Sequence, residues 1–166
     1  MKEPNLPRIA LMPYQVDQSG KIEATSKDTI LCLSNDQWTA VKIEARTKRR
    51  LQEIFRRNGQ PRNFVLFSFC AGVAVLLDQA QHIYKVMVDR EYYGKEFIMK
   101  NILLEMLNKR HIPLEICFGM IGKKAMAHHR AYAVAVGKLK TFYTLGAEEV
   151  MSKIKMTEVG KRLKDT

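Results

Sequence analysis

Two aspartates that end apolar runs are the residues of this sequence best placed to do chemistry. Asp17 ends the run 9–17 and precedes turn-forming residues, and Asp89 ends the run 84–89 and precedes a polar stretch. An acid at the end of a buried strand leaves the core near solvent, where catalytic and binding groups are commonly exposed. Carboxylate oxygens are the ligands that hard divalent cations prefer. If the two strands are neighbours, these acids therefore predict a cation site.

The composition of the chain predicts one soluble globular domain. The chain has 166 residues, of which 46% are hydrophobic and 27% are charged. This balance excludes a disordered protein, and the length is sufficient for a core without disulfide bonds. Cys32, Cys70 and Cys117 lie far apart without metal-binding spacing, and the first residues lack the apolar run of a secretory leader. We therefore expect a cytoplasmic protein whose thiols are free, reduced and buried.

The longest apolar stretch, residues 64–77, predicts a core element and not a membrane span. It has fourteen residues and is interrupted by Ser68 and Gly72. A bilayer span needs about 20 apolar residues in helical form. We therefore expect no membrane partner for this protein.

A strong positive charge is the second global feature. The chain carries 28 Lys and Arg against 17 Asp and Glu, which gives a net charge of +11. Such a bias favours polyanionic partners, because neutralised phosphates release their counterions. We therefore expect DNA or RNA as the partner, with an ordinary solvated basic surface as the alternative. The candidate nucleic-acid-binding residues are Lys48, Arg49, Arg50, Arg56 and Arg57 on one predicted helix, and Lys123, Lys124 and Arg130 further along the chain.

The first third of the chain predicts an antiparallel β-meander. Turn residues at 18–20 and 34–36 separate three runs with strand character. The predicted strands are 8–17, 21–34 and 38–43. A helix is then predicted over 47–58, because apolar residues recur at helical spacing up to Phe55 and Gly59 follows.

The rest of the chain predicts strands and helices in alternation. Residues 63–81 have no decisive period, and we expect a helix from about Phe67 onward. After the strand that ends at Asp89, the further predicted elements are a helix over 95–108, a strand over 114–121, and helices over 125–136 and 147–155. This alternation indicates right-handed crossovers between parallel strands. We expect the tail from about residue 156 to fray.

This order of elements resembles that of the ribonuclease H-like superfamily, which includes nucleases, resolvases and transposase-type enzymes. Residues 16–20 resemble the family's first strand, in which an acid precedes a turn of small residues. Residues 88–92 resemble the fourth strand, in which the acid is followed by a short polar stretch and a tyrosine. The resemblance implies a single α/β domain over 1–166, with an antiparallel three-strand meander, parallel strands after it and flanking helices.

The resemblance also implies a Mg²⁺ or Mn²⁺ site at Asp17 and Asp89. In such enzymes one ion activates water and another steadies the leaving oxygen of a phosphodiester. The family's next acid comes from the first helix, where this chain offers Glu53, or Glu44 just before it. Glu53 lies among arginines, so ion pairing across helical turns explains it equally well. Without a third converging acid, the resemblance implies a one-metal enzyme or a degenerate relative.

Three further residues are candidates near the same site. The family's last helix brings an acid or a histidine, and here His128 or His129 occupies that place. Neighbouring helical residues point in different directions, so at most one of the two faces the site, where it could shuttle a proton or hold a phosphate. Glu91 would join Asp89 as a ligand if strand geometry persists past Arg90.

Three functions agree with these patterns. The first is a metal-dependent nuclease or a related phosphodiester-processing enzyme. The second is a basic nucleic-acid-binding protein on the same scaffold without catalysis, in which the segments 46–57 and 123–130 hold phosphates. The third is a small interaction module whose basic surface meets an acidic protein.

Overall fold

The protein is an α/β structure in which helices flank a six-stranded mixed sheet. The computed structural model describes residues 13–35, 37–110, 112–140 and 143–164. The strands are β1 (Tyr14–Ser19), β2 (Thr29–Ser34), β3 (Trp38–Ile43), β4 (Lys85–Asp89), β5 (Glu115–Gly119) and β6 (Tyr143–Leu145). The helices are α1 (Ala45–Arg57), α2 (Phe64–Asp78), α3 (Glu96–Met106), α4 (Met126–Ala135) and α5 (Ala147–Ile154).

The sheet combines an antiparallel meander with parallel strands. Its order is β5-β4-β1-β2-β3-β6. β1, β2 and β3 pair in antiparallel fashion, β4 and β5 add to β1 in parallel, and β6 adds to β3 in parallel. The turn from β1 requires a glycine, because Gly20 has a φ of +79° and an added Cβ would lie 2.4 Å from the Asp28 carbonyl oxygen. The combination of antiparallel and parallel pairing confirms the predicted mixed α/β sheet.

The main core lies on the face of the sheet that α2 covers. Val16, Val86 and Val88 are fully buried there, as strand alternation requires. Gly72 lets α2 approach closely, because an added Cβ would lie 2.3 Å from a methyl carbon of Leu31. The segment Pro61–Asp78 is long and apolar enough to cross a membrane by composition, with a mean hydropathy of 1.3. Most of it is buried inside the protein, which confirms the predicted core element.

Helix α4 packs on the other face of the sheet, against β1 and β2. Its buried residues Ala127 and Ala131 are small, so the helix axis lies close to the strands. Ala131 belongs to a small apolar cluster with Ile30, Cys32 and Ala40. The Cys32 thiol is free, and burial raises its pKa to about 12. This close packing decides how far the polar side chains of α4 reach over the sheet.

Several element boundaries differ from those predicted. Helix α2 begins at Phe64, because an apolar run without a period does not mark its own start. Strand β6 was not predicted, since three residues carry too little alternation to be recognised. Strand β1 is described from Tyr14 onward, and residues 8–12 of the predicted strand lie outside the described residues. Residues 21–28 of the predicted second strand form turns instead.

The tail, which we expected to fray from residue 156, is packed up to Lys164. Leu163 is 5% exposed and belongs to the main core. The Asn58 side chain donates to the Lys164 carbonyl oxygen at 2.8 Å and accepts from the Lys164 backbone N–H at 2.8 Å. The paired amide and the buried leucine fix the tail against the end of α1, which a polar sequence does not reveal.

Lys48 is a structural residue and not the predicted nucleic-acid ligand. Its side chain is fully buried, and its ammonium donates to the carbonyl oxygens of Lys21 and Ala24 at 2.9 and 2.7 Å and to Thr29 Oγ1 at 2.9 Å. An ammonium group has three N–H donors, so these contacts use all of them. Lys48 therefore ties α1 to the turns that lead into β2.

We expect Lys48→Met to lower the free energy of unfolding by about 1–3 kcal/mol, because the acceptors of a buried cation would lose their donor. Chemical denaturation measures this change. Arg50→Met on the same helix is the control, since Arg50 is exposed and the substitution removes the same charge. Equal effects of the two substitutions would show that the buried contacts of Lys48 contribute nothing.

Candidate metal centre

The parallel pairing of β1 with β4 brings the two predicted aspartates together. The register places Gln15 beside Met87 and Val16 beside Val88. One further step along each strand places Asp17 beside Asp89. Because Val16 and Val88 point into the main core, the two aspartates point to the opposite face, where α4 lies. The expectation that these strands run side by side and join their terminal acids is confirmed.

Glu91 completes a group of three carboxylates with Asp17 and Asp89. One oxygen from each residue lies within 4.8 Å of an oxygen from each of the others. Hard divalent cations bind oxygen ligands at about 2.0–2.6 Å, so one ion could contact all three oxygens from a central position. Asp17 is buried, whereas Asp89 and Glu91 are half-buried. The group can therefore hold a metal ion that remains accessible from solvent.

Backbone contacts hold the outer two acids in place. Asp89 Oδ1 accepts a hydrogen bond from the Ile121 backbone N–H at 2.8 Å, which ties the acid to the loop after β5. The Arg90 N–H donates to the Gly119 carbonyl oxygen at 2.9 Å, and the Glu91 N–H donates to the Asp89 carbonyl oxygen at 3.0 Å. The second of these bonds closes a tight turn. Glu91 thereby returns toward Asp89 although β4 has already ended.

Asp17 is held by its own strand and by α4. Its Oδ1 accepts from the Gln18 backbone N–H at 2.8 Å, and its Oδ2 lies 2.9 Å from His128 Nδ1. When Asp17 is ionised, as cation binding requires, its carboxylate can only accept, and Nδ1 then carries the proton of this bond. Asp17 is 3% exposed, and the His128 side chain is 37% exposed. The histidine therefore orients a buried acid from the solvent side.

Burial and mutual repulsion make this group of acids electrostatically unfavourable without a cation. Burial raises the pKa of Asp17, and the charge of Asp89 raises it further, whereas the Gln18 N–H and His128 act in the opposite direction. Burial also raises the pKa of Glu91, followed by the charge of Asp89. A bound divalent cation would favour the ionised form of every member of the group.

Of the two predicted histidines, one faces the acids. His129 is exposed, and its ring centre lies 6.0 Å from that of His128 in an edge-on arrangement. The signal that separates the two is the buried pair Ala127 and Ala131, which marks the face of α4 toward the sheet. His128 flanks that face. The prediction that at most one histidine faces the site agrees with this geometry.

Glu53 does not join the acidic group, contrary to the prediction. Its carboxylate pairs with Arg56 at 3.3 Å and with Arg57 at 2.9 Å. Helix α1 packs on the main core, whereas Asp17 points toward α4 on the other face. Glu44, the alternative, pairs with Arg46 at 2.8 Å. The third acid is Glu91, which comes from the end of the strand that carries Asp89.

The predicted basic residues divide into those with contacts inside the protein and those without such contacts. Arg130 lies over the Trp38 ring at 5.4 Å and donates to Ser34 Oγ at 2.6 Å, so it fastens α4 to the sheet and is not a free phosphate ligand. Arg49 donates to the Thr25 carbonyl oxygen at 2.8 Å, and Arg56 and Arg57 pair with Glu53. Arg50, Lys123 and Lys124 are exposed and have no such contact with any residue that the structure describes.

Of the predicted phosphate ligands, Lys123 and Lys124 are exposed and lie between two segments that contact the acids. They follow Ile121, whose N–H binds Asp89, and they precede the α4 turn that carries His128. Arg50 lies on α1, on the side of the main core. The predicted phosphate contacts at residues 123 and 124 therefore remain compatible with this centre.

Comparisons of the chain with protein-family models, with curated proteins and with solved structures found no match.

We expect Mn²⁺ to raise the melting temperature of the protein, and we expect this increase to be larger at about pH 7.5 than at about pH 5. The pKa values of Asp17 and Glu91 lie above their ordinary values of 3.8 and 4.5 in the folded protein. Ionisation of these groups therefore opposes folding, and the metal-free protein gains stability as pH falls through the raised pKa values. Cation binding requires the ionised forms and strengthens as pH rises. Thermal denaturation with and without MnCl₂ at both pH values measures the difference.

Glu91→Gln should remove most of the Mn²⁺-dependent increase in melting temperature, because it deletes one ligand charge. Glu53→Gln is the matched control and should retain the full increase, since Glu53 pairs with arginines elsewhere. An equal Mn²⁺-dependent increase in the melting temperatures of the two variants would contradict a metal site at the three acids.

We expect His128→Ala to weaken Mn²⁺ affinity by about 10–100-fold, the usual effect of removing a group that orients a metal ligand. His128→Asn should retain most of the affinity, because its amide N–H can replace Nδ1–H as donor to Asp17. His129→Ala should bind Mn²⁺ like the unmodified protein. Isothermal titration of the three variants with MnCl₂ provides the measurement, and equal affinity of His128→Ala and His129→Ala would refute a role for His128.

Proposed function

We propose that this protein is a Mg²⁺- or Mn²⁺-dependent nuclease with a ribonuclease H-like fold. The observation that carries the proposal is the convergence of Asp17, Asp89 and Glu91 at the ends of two neighbouring parallel strands. The antiparallel meander followed by parallel strands with crossover helices supports the fold assignment. The third acid departs from the pattern that the resemblance implies, since it follows the fourth strand and does not lie on the first helix.

The donor set favours a hard cation. All three ligand atoms are carboxylate oxygens, which suit Mg²⁺ and Mn²⁺ better than softer metals. His128 uses Nδ1 on Asp17, so its role is to orient a ligand. Within the described ranges of the chain, this is the one group of three or more His, Cys, Asp and Glu side chains with the spacing of a metal site. These facts favour magnesium or manganese over zinc.

The residues around the acids suit a phosphodiester substrate. When bound, the cation supplies Lewis-acid activation of water and of the scissile phosphate. Asp17, Asp89 and Glu91 bind the cation, and His128 keeps Asp17 in place. Lys123 and Lys124 are exposed beside α4 and would neutralise a neighbouring phosphate. The acids would therefore hold the cation, and the lysines would bind phosphates next to the one that is cleaved.

Charge distribution favours catalysis over simple binding at this place. The chain as a whole carries +11, so a polyanion is attracted to it. Three acids gathered at one point would repel a phosphate unless a cation lies between them. A surface for nucleic-acid binding alone has no use for such a group of acids, whereas a metal-dependent nuclease uses one to hold its cation.

We expect the purified protein to cleave DNA or RNA in the presence of Mg²⁺ or Mn²⁺, and Asp17→Asn and Asp89→Asn to reduce cleavage to background. Each substitution removes a ligand charge, and the Asn side chain retains the size of the acid. Glu53→Gln is the control and should cleave like the unmodified protein. The measurement is gel analysis of labelled single-stranded and double-stranded oligonucleotides.

Cleavage that survives both aspartate substitutions would arise from a contaminant or another site and would refute the proposal. Salt-sensitive binding without any cleavage in either metal would instead support a non-catalytic nucleic-acid-binding protein.

A further inference from the structure

A groove with a volume of about 790 Å³ runs along α4 on the same face as the acids. It lies between the second half of α4, the turn after β1 and the strand β3. The residues that line it and matter here are Ser19, Lys27, Asp28, Lys42 and Tyr132. Sites for organic ligands commonly have volumes of about 300–1,000 Å³, so the groove is large enough for a short segment of a polymer.

The groove leads toward the three acids. Ser19 lies two residues after Asp17 on β1, so both side chains point to the same face of the sheet. Tyr132 lies four residues after His128 on α4, so the two side chains are neighbours along one side of the helix. The end of the groove at Ser19 therefore lies on the face of the sheet that carries Asp17, two residues along β1.

The charges of the groove suit a phosphate backbone. Lys27 is exposed and Lys42 is half-buried, and neither forms an ion pair with another residue in the part of the chain that the structure describes. The acid of the groove, Asp28, accepts a hydrogen bond from the Ala45 backbone N–H at 2.8 Å and so supports the start of α1. Two cations without an ion pair among the described residues thus line the groove.

Tyr132 adds an aromatic surface between these cations and the acids. Its side chain is 56% exposed, although its neighbour Ala131 is fully buried against the sheet. Exposed aromatic rings beside cations bind unpaired bases by stacking, which contributes about 1–3 kcal/mol for each base. In a continuous duplex the faces of the bases are covered by their neighbours. An aromatic contact inside the groove therefore favours a single strand.

We propose that the groove binds one unpaired strand of nucleic acid, with phosphates at Lys27 and Lys42 and a base against Tyr132, and directs it to the acids. This inference rests on the proposed nuclease function. It adds the substrate class, which is single-stranded nucleic acid. DNA and RNA share the backbone and bases that these residues contact.

The test measures binding of fluorescein-labelled oligonucleotides to the full chain by fluorescence anisotropy in EDTA, where the proposed metal-dependent cleavage cannot occur. The probes are single-stranded DNA, single-stranded RNA and the matching duplexes. We expect each single strand to bind at least about tenfold more tightly than its duplex. A preference between the two single strands identifies DNA or RNA as the substrate.

Tyr132→Ala should weaken single-strand binding by about tenfold, the usual effect of losing one stacked base. Tyr132→Phe should retain the affinity, because it keeps the ring. Tyr84→Ala is the matched control, since Tyr84 is 67% exposed and precedes β4 at the end opposite Asp89. A retained affinity in Tyr132→Ala, or an equal loss in Tyr84→Ala, would overturn the proposal.

The combined substitution Lys27→Gln and Lys42→Gln should weaken binding and reduce the dependence of log K on log salt by about 1.4, since each single-strand phosphate contact contributes about 0.7. Lys100→Gln with Lys109→Gln is the control, because both residues are exposed and the change in net charge is equal. Equal slopes in the two double variants would show that net charge, and not the groove, determines binding.

The groove proposal and the nuclease proposal can fail separately. Duplexes that bind as tightly as single strands, or no binding of either, would overturn the groove as a single-strand path. The nuclease proposal fails on the cleavage assay alone. Tight single-strand binding without cleavage would leave the groove proposal standing and remove the catalytic one.

Discussion

The in-register parallel pairing of β1 with β4 is the interaction on which the candidate centre depends. It places Asp17 and Asp89 at neighbouring positions on one face of the sheet. Two full charges within 4.8 Å repel by at least about 3 kcal/mol at an effective dielectric constant near 20. The hydrophobic contacts of Val16 and Val88 on the opposite face fix the register that maintains this repulsion. Like charges that an apolar core holds close together are typical of functional sites.

The second constraint is the short distance between α4 and the sheet. Ala127 and Ala131 face the strands, so the helix lies close enough for His128 to reach the buried Asp17 carboxylate. Arg130 holds the same helix at the other edge through Trp38 and Ser34. The basic residues of the chain thus have two different roles. Some fasten helices to the sheet from inside, and others remain exposed around the acids and the groove.

Local patterns in the sequence predicted the first five strands in chain order and the two aspartates, and the resemblance supplied the mixed sheet in which the first and fourth strands are neighbours. Strand alternation and turn residues mark the meander, and the two acids stand where apolar runs end. Charge composition indicated a polyanionic partner but could not separate structural from exposed cations. Lys48 and Arg130 show the reason, since their partners are 19 or more residues away in the chain.

What only the tertiary structure decided is which residues meet. The choice of Glu91 over Glu53 as the third acid depends on the tight turn after β4 and on the face of the sheet that α1 covers. The choice of His128 over His129 depends on how α4 rotates as its alanines are buried. Sequence patterns report local conformation and burial, whereas contacts between distant elements follow from packing. In this protein the sequence pattern identifies the two aspartates as candidate ligands. Their approach to each other and to Glu91 depends on how the strands pair and on the turn after β4.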